Sequence, residues 1–212
     1  MCEAKALMAG CVLAGGASRR MGMDKALLEL GGKPLITLAV ERFSGFQEVL
    51  ISAAETERYA FTGIRIIPDE RPDMGPLGGL ISVLKAVDSD LVCFRPVDSP
   101  LVPAGLHLFL AEACAGHDAA VPVFQGKPEP LLACFRVSAL PVLESLATKG
   151  NYKAADAFPD LDTVYLPLDE PGLVSRFGDP RDYLLNANDP ETFSALKPTR
   201  PTLSASPSGR PV

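Results

Sequence analysis

Val12-Leu13-Ala14-Gly15-Gly16-Ala17-Ser18-Arg19-Arg20-Met21-Gly22-Met23-Asp24-Lys25 is the stretch on which the reading of this chain turns. An apolar run from Met8 to Ala14 predicts a buried strand that feeds directly into paired glycines. Paired glycines let backbone N–H groups turn toward a ligand, because no Cβ blocks its approach. Arg19, Arg20 and Lys25 add mobile positive charge beside those donors. The combination suits a nucleoside triphosphate. The loop is not a P-loop, since Ala26 stands where Ser or Thr would follow the lysine, and it is not the G-x-G-x-x-G dinucleotide fingerprint. The competing reading is a plain strand-to-helix turn with surface arginines. The tight spacing of Gly, Arg and Lys favours phosphate binding over it.

Outward from this loop, apolar runs alternate with helical patterns, which predicts an α/β fold of βαβ units around a mainly parallel sheet. Strands are expected at Gly10 to Ala14, Glu48 to Ala53, Ile64 to Pro68, Leu91 to Val97, Ala119 to Phe124, Pro130 to Val137 and Val164 to Leu166. Helices are expected from Pro34 to Phe43, Leu77 to Val87, Pro103 to Cys114 and Ala139 to Thr148. Residues 1–196 form one expected domain, and the Pro- and Ser-rich tail 197–212 is expected to be disordered.

A chain of 212 residues suits one such domain with a well-filled core. The net charge of −6, with both signs interspersed, argues against a nucleic-acid binder, so any phosphate site must be a local positive patch. No apolar stretch is long enough to span a bilayer, and the N-terminus lacks the basic and apolar regions of a signal peptide. The five cysteines form no C-x-x-C pair. Cys11, Cys93 and Cys134 lie in strand-like runs and read as buried free thiols, which fits a reducing cytoplasm. His107 and His117, the two histidines, read as structural or exposed rather than catalytic.

In open α/β sheets ligands bind beyond the carboxyl ends of the strands. Those ends carry Gly15-Gly16, Ser52, Asp69 and Asp98-Ser99-Pro100. Two carboxylates facing a basic, glycine-lined loop suggest Mg²⁺ with a polyphosphate, since Mg²⁺ takes one or two carboxylates and completes its shell with water and phosphate oxygens. Asp98 is the better ligand, because Pro100 stiffens the turn that presents it; a helix cap is its bland alternative. For Asp69 an exposed turn, Asp69-Glu70-Arg71, is the stronger alternative. Gly75-Pro76-Leu77-Gly78-Gly79 opens a helix either to admit a ligand or to pack closely on the sheet. Lys149-Gly150 reads as a helix C-terminus with Gly150 at C′. Asn188 or Asp189 reads as a cap for a following helix, with Glu191 in its first turn.

These motifs resemble one family. Leu13-Ala14-Gly15-Gly16-x-x-x-Arg20-Met21-Gly22-x-Asp24-Lys25 is similar to the signature of the molybdenum cofactor guanylyltransferases, the molybdopterin-guanine dinucleotide biosynthesis proteins A. Gly75-Pro76-Leu77-x-Gly79, Asp98-Ser99-Pro100, Glu129-Pro130-Leu131 and Asn186-x-Asn188-x-Pro190-Glu191 follow in the family's order. The resemblance implies a Rossmann-like, nucleotide-diphospho-sugar transferase-like fold and a reaction in which GTP and molybdenum-bound molybdopterin give the guanine dinucleotide cofactor and pyrophosphate. It implies nucleotide contacts from Leu13, Ala14, Gly15, Gly16, Lys25, Ser52, Asp69, Gly78 and Asp98, with Mg²⁺ on Asp98. Arg20, Lys25 and Asp98 would carry catalysis, and Asn186 and Asn188 would lie by the pterin substrate. It also implies a cytoplasmic enzyme that meets other cofactor-biosynthesis proteins and apo-molybdoenzymes. Ser52 stands where the family often has asparagine, and Asn151-Tyr152-Lys153 stands in place of a basic pair. The alternatives are a molybdopterin cytidylyltransferase or other NTP transferase, and, in another class, a non-catalytic carrier of the molybdenum cofactor.

Overall fold

In chain order the strands are β1 (Met8–Leu13), β2 (Glu29–Leu30), β3 (Lys33–Pro34), β4 (Glu48–Ala53), β5 (Arg65–Pro68), β6 (Leu91–Pro96), β7 (Ala119–Phe124), β8 (Lys127–Pro128), β9 (Cys134–Arg136) and β10 (Thr163–Pro167). The helices are α1 (Leu35–Glu41), α2 (Pro76–Ala86), α3 (Ala104–Ala113), α4 (Leu140–Thr148), α5 (Pro171–Phe177) and α6 (Pro180–Tyr183). The computed structural model describes residues 7–15 and 24–185. Gly16, Arg19, Arg20, Asn186, Asn188, Asp189, Glu191 and the tail 197–212 lie outside the described residues.

The main sheet runs β10-β7-β9-β6-β1-β4-β5, with β8 added to β7. β1 pairs in parallel with β4 on one side and β6 on the other, so Val12 stands between Ile51 and Arg95. β5 continues the parallel half and β10 pairs in parallel with β7. The sheet is therefore mostly parallel, as the alternation of strand and helix patterns predicts. Its apolar runs are buried on both faces, as a sheet covered by helices requires. Ala9, Cys11 and Leu13 join Val92 and Phe94 on the face that α2 and α4 cover. Val12, Ile51, Leu91 and Cys93 face α1 and α3. Gly10 is the exception in β1, because the Phe43 ring lies against its backbone and a Cβ there would fall 2.3 Å from that ring. Gly10→Ala is expected to push Phe43 aside and to lower stability by about 1–3 kcal/mol, measured by urea unfolding.

Three expectations need correction. Pro34 does not begin the first helix. Gly31 and Gly32, at φ 63° and 80°, make a two-residue turn that folds Lys33–Pro34 back on Glu29–Leu30, and α1 starts at Leu35. The run Pro130 to Val137 is not one strand. Pro130 lacks an N–H for a ladder and opens a 3-10 turn, in which Leu132 N–H donates to Glu129 C=O at 3.0 Å. Only Cys134–Arg136 forms a strand, inserted antiparallel between β6 and β7.

The third correction concerns the thiols. Cys93 and Cys134 are joined in a disulfide rather than free. The β6–β9 register sets them directly opposite, and because Phe94 N–H donates to Ala133 C=O next door, they occupy the close, non-hydrogen-bonded kind of pair, with Cα atoms 4.0 Å apart. Cys11 and Cys114 are free and buried.

Gly150 does stand at C′ of α4. Asn151 N–H reaches Leu146 C=O at 3.2 Å and Gly150 N–H reaches Ala147 C=O at 3.0 Å, the Schellman closure. His107 is buried in α3, and His117 is half-buried and pairs with Asp162 at 3.1 Å. Among the described residues no helix is long and apolar enough to cross a membrane.

Candidate active site

The carboxyl ends of β1, β4, β5 and β6 lie side by side because those strands are neighbours and parallel. Ladder bonds carry the order past the strand ends. Ala14 N–H donates to Ser52 C=O at 2.9 Å, and Val97 N–H donates to Leu13 C=O at 3.1 Å. Asp69 N–H donates to Ala53 C=O at 3.1 Å. Backbone N–H groups beyond the ladder thus start at Gly15, which is exposed and has open space where a Cβ would stand.

The opening of α2 sits against this edge. Gly75 adopts φ 60° and ψ −147°, a conformation open to glycine alone, and Pro76 then starts the helix, with no side chain among the described residues capping its N–H groups. A Cβ on Gly78 would lie 2.4 Å from Arg71 C=O and 2.9 Å from Asp69 Oδ1. A Cβ on Gly79 would lie 2.7 Å from Ser52 Oγ. Both glycines are therefore required by close packing of helix on strand ends. Ser52 is turned inward beneath Gly79 and is 2% exposed, so its accessible contribution to this edge is the backbone. Asp69 Oδ1 accepts from Arg71 N–H at 3.0 Å, closing the turn that Gly78 packs on. Burial, reinforced by Asp73, holds the Asp69 carboxyl above the usual range despite that bond.

Asp98 occupies the turn after β6, half-buried. Burial pushes its carboxyl upward, while the positive charge of Lys25 pulls it back. Lys25 begins a 3-10 turn, Lys25–Leu27, which Asp24 caps by accepting from Ala26 N–H at 3.0 Å. The structure thus brings Leu13, Ala14, Gly15, Lys25, Ser52, Asp69, Gly78 and Asp98 to one edge of the sheet.

Sequence reasoning missed how Lys25 is held. Asp24 Oδ2 also accepts from Tyr59 OH at 2.8 Å and from Arg58 Nη1 at 3.1 Å. Tyr59 is 3% exposed, and burial together with this bond pushes its phenol well above the usual range. Asp24 stands in the sequence only as part of the loop signature, and nothing local marks Tyr59 as its partner. Tyr59→Phe leaves one bond to the carboxylate unmade and is expected to cost about 1.5–3 kcal/mol in urea unfolding.

Among the described residues no group of three or more His, Cys, Asp or Glu is placed to hold a metal. Asp98 follows β6 and Asp69 follows β5, with β1 and β4 between them, so the two carboxylates do not share one metal site. The single half-buried carboxylate of Asp98 still fits Mg²⁺, which leaves most of its shell to water and phosphate oxygens.

Residues 10–164 match the family model for the MobA-like NTP transferase domain. The chain belongs to the MobA-like NTP transferase family. It is a nucleotidyltransferase, and its relatives agree over most of their length. A probable molybdenum cofactor guanylyltransferase of Carboxydothermus hydrogenoformans is 33% identical, over 87% of this chain and 92% of that protein. A molybdenum cofactor guanylyltransferase of Cereibacter sphaeroides is 35% identical, over 79% of this chain and 93% of that protein. The crystal structure of molybdopterin-guanine dinucleotide biosynthesis protein A from Archaeoglobus fulgidus superposes with a TM-score of 0.74 at 27% identity, covering 89% of this chain and 96% of that one. The 2-C-methyl-D-erythritol 4-phosphate cytidylyltransferase of Thermus thermophilus shares the fold, with a TM-score of 0.56 at 20% identity, covering 82% of this chain and 95% of that one. The MobA-like fold is accordingly the nucleotide-diphospho-sugar transferase type.

Proposed function

We propose that this enzyme transfers GMP from GTP to the terminal phosphate of molybdenum-bound molybdopterin, forming the guanine dinucleotide cofactor and pyrophosphate. The observation that carries the reading is the Lys25 charge acting on the half-buried Asp98 carboxylate at the edge where β1 opens into its glycine loop. Relatives named as guanylyltransferases support GTP as the donor. In this reading residues 1–196 are the catalytic domain, the tail 197–212 lies outside it, and the enzyme is cytoplasmic. Cofactor-biosynthesis proteins and apo-molybdoenzymes are its partners.

The backbone of Leu13, Ala14, Gly15 and Gly16 receives the nucleotide, together with Ser52, Asp69 and Gly78. Lys25 and Arg20 neutralise its phosphates. Asn186 and Asn188 serve the pterin side. Asp98 would hold Mg²⁺, which supplies positive charge to the phosphate oxygens when bound.

An oxygen of the acceptor phosphate forms the new bond to the α-phosphorus as the bond to the β-phosphate oxygen breaks, and pyrophosphate leaves with that electron pair. The acceptor is already an anion, so no side-chain nucleophile is needed. The obstacle is bringing two anions together, and positioned positive charge lowers it. Lys25 is well placed for this, because its turn is pinned by Asp24 instead of being left to a flexible loop.

Calorimetry of GTP, CTP and ATP binding with and without Mg²⁺, on wild type and Lys25→Ala, tests the reading. Selective, Mg²⁺-dependent GTP binding that weakens by about 10²-fold in the variant is expected. Preference for CTP would move the assignment to a cytidylyltransferase. Absence of nucleotide binding would favour a carrier of the cofactor.

A further inference from the structure

Arg95 lies on β6, three residues before Asp98, and is 0% exposed. A guanidinium stripped of water is costly unless a carboxylate or a full set of hydrogen bonds compensates it. Among the described residues no carboxylate forms an ion pair with it; the neighbouring charge is that of another cation, Arg42. Burial, and then Arg42, pull its pKa down to about 9, still charged at neutral pH. Among the described residues the Nε has no hydrogen-bond partner.

What Arg95 does bond is the chain beyond Asp98. Nη1 donates to Val102 C=O at 3.2 Å, and Nη2 donates to Ser99 C=O. Both acceptors belong to buried residues. The segment between β6 and α3 contains Pro100 and Pro103, which have no N–H and so reduce the backbone donors available to secure it. The forked guanidinium supplies donors from the strand that the segment has just left. An apolar side chain would fill the same space without the desolvation cost, and would lack these two hydrogen bonds.

We infer that Arg95 is a positioning residue, a clamp that fixes the turn carrying Asp98 so that its carboxylate meets the nucleotide and Mg²⁺ without rearrangement. The inference rests on the guanylyltransferase reading for its consequence, but its geometry stands apart from that reading.

Two variants of the full chain, Arg95→Met and Arg95→Lys, test it by two readouts. The first is hydrogen–deuterium exchange of peptides spanning 97–103, compared with the strand peptides 48–53 and 119–124. The second is GTP binding by calorimetry across a Mg²⁺ series. Exchange is expected to quicken at 97–103 and not in the strands. The Mg²⁺ concentration needed for half-maximal GTP binding is expected to rise about tenfold or more in Arg95→Met, as for other residues that orient a metal-binding carboxylate, and by less in Arg95→Lys. Arg95→Lys keeps the charge and the apolar stem, so it decides the matter if Arg95→Met does not fold. Unchanged exchange at 97–103, or exchange quickened evenly through the sheet with an unchanged Mg²⁺ requirement, would overturn the clamp. If the wild type itself shows no Mg²⁺-dependent GTP binding, the functional reading has failed, and local exchange alone decides whether Arg95 holds the turn.

Discussion

Asp98→Asn is expected to yield a folded protein that melts higher than wild type at neutral pH and yet turns over about 10²-fold or more slowly. Both halves come from the same burial. Taking the carboxylate out of water raises its pKa, and Lys25 only partly offsets the effect. A carboxyl whose folded pKa lies above its unfolded value contributes stability that is complete below the unfolded pKa and is lost as pH rises through the folded one. At neutral pH the protein therefore carries Asp98 ionised at a cost, and asparagine removes that cost along with the negative charge that would hold Mg²⁺ in the proposed reaction. Calorimetric melting should show the variant's advantage at neutral pH shrinking as the solution is acidified. Pyrophosphate release with GTP and the pterin substrate measures the loss of turnover. A variant that melts below wild type at neutral pH would mean that the attraction to Lys25 outweighs burial. Wild-type turnover would remove Asp98 from the chemistry.

His107→Leu is expected to flatten the acid limb of the stability curve. His107 is 0% exposed, its ring set edge-on to Phe43 with centroids 4.7 Å apart. Burial, and then the charge of Arg95, pull its pKa down to about 3. The imidazole thus stays neutral in the folded chain and takes up a proton on unfolding. The sign is that of a base with a depressed folded pKa, whose contribution is complete above its unfolded value and is lost as pH falls toward the folded one. Below the ordinary histidine pKa of 6.5, this one residue should remove about 1.4 kcal/mol of stability per pH unit, continuing to about pH 3. Urea unfolding at stepped pH on both proteins measures the difference in slope. Parallel curves would show that His107 titrates alike in the folded and unfolded chains.

These two residues differ in how far the sequence reveals them. Asp98 follows an apolar run and precedes a proline, so its place at a strand end is a local property. His107 shows only as a histidine in a helical pattern. Its surroundings come from elsewhere in the chain: the Phe43 ring against it and the charge of Arg95 on β6. Arg95 itself is hidden in an otherwise apolar run, where an arginine would ordinarily mark a strand end or an edge. Helices α5 and α6 each open at Pro, after Glu170 and Asp179, but each is too short for the sequence to show a period.

From the sequence alone come the α/β class, the mostly parallel sheet, the glycine loop and the set of polar residues following the strands. All depend on short-range patterns: apolar runs, turn residues and the rule that parallel strands share a carboxyl edge. The tertiary structure decided the insertion of β9 between β6 and β7, the disulfide between Cys93 and Cys134, the tie from Asp24 to Tyr59 and the clamp of Arg95 on Ser99 and Val102. The first three join residues far apart in the chain, where strand order and register choose the partner. The last joins near neighbours, but the burial that makes it matter is created by packing of the whole sheet against α1 and α3.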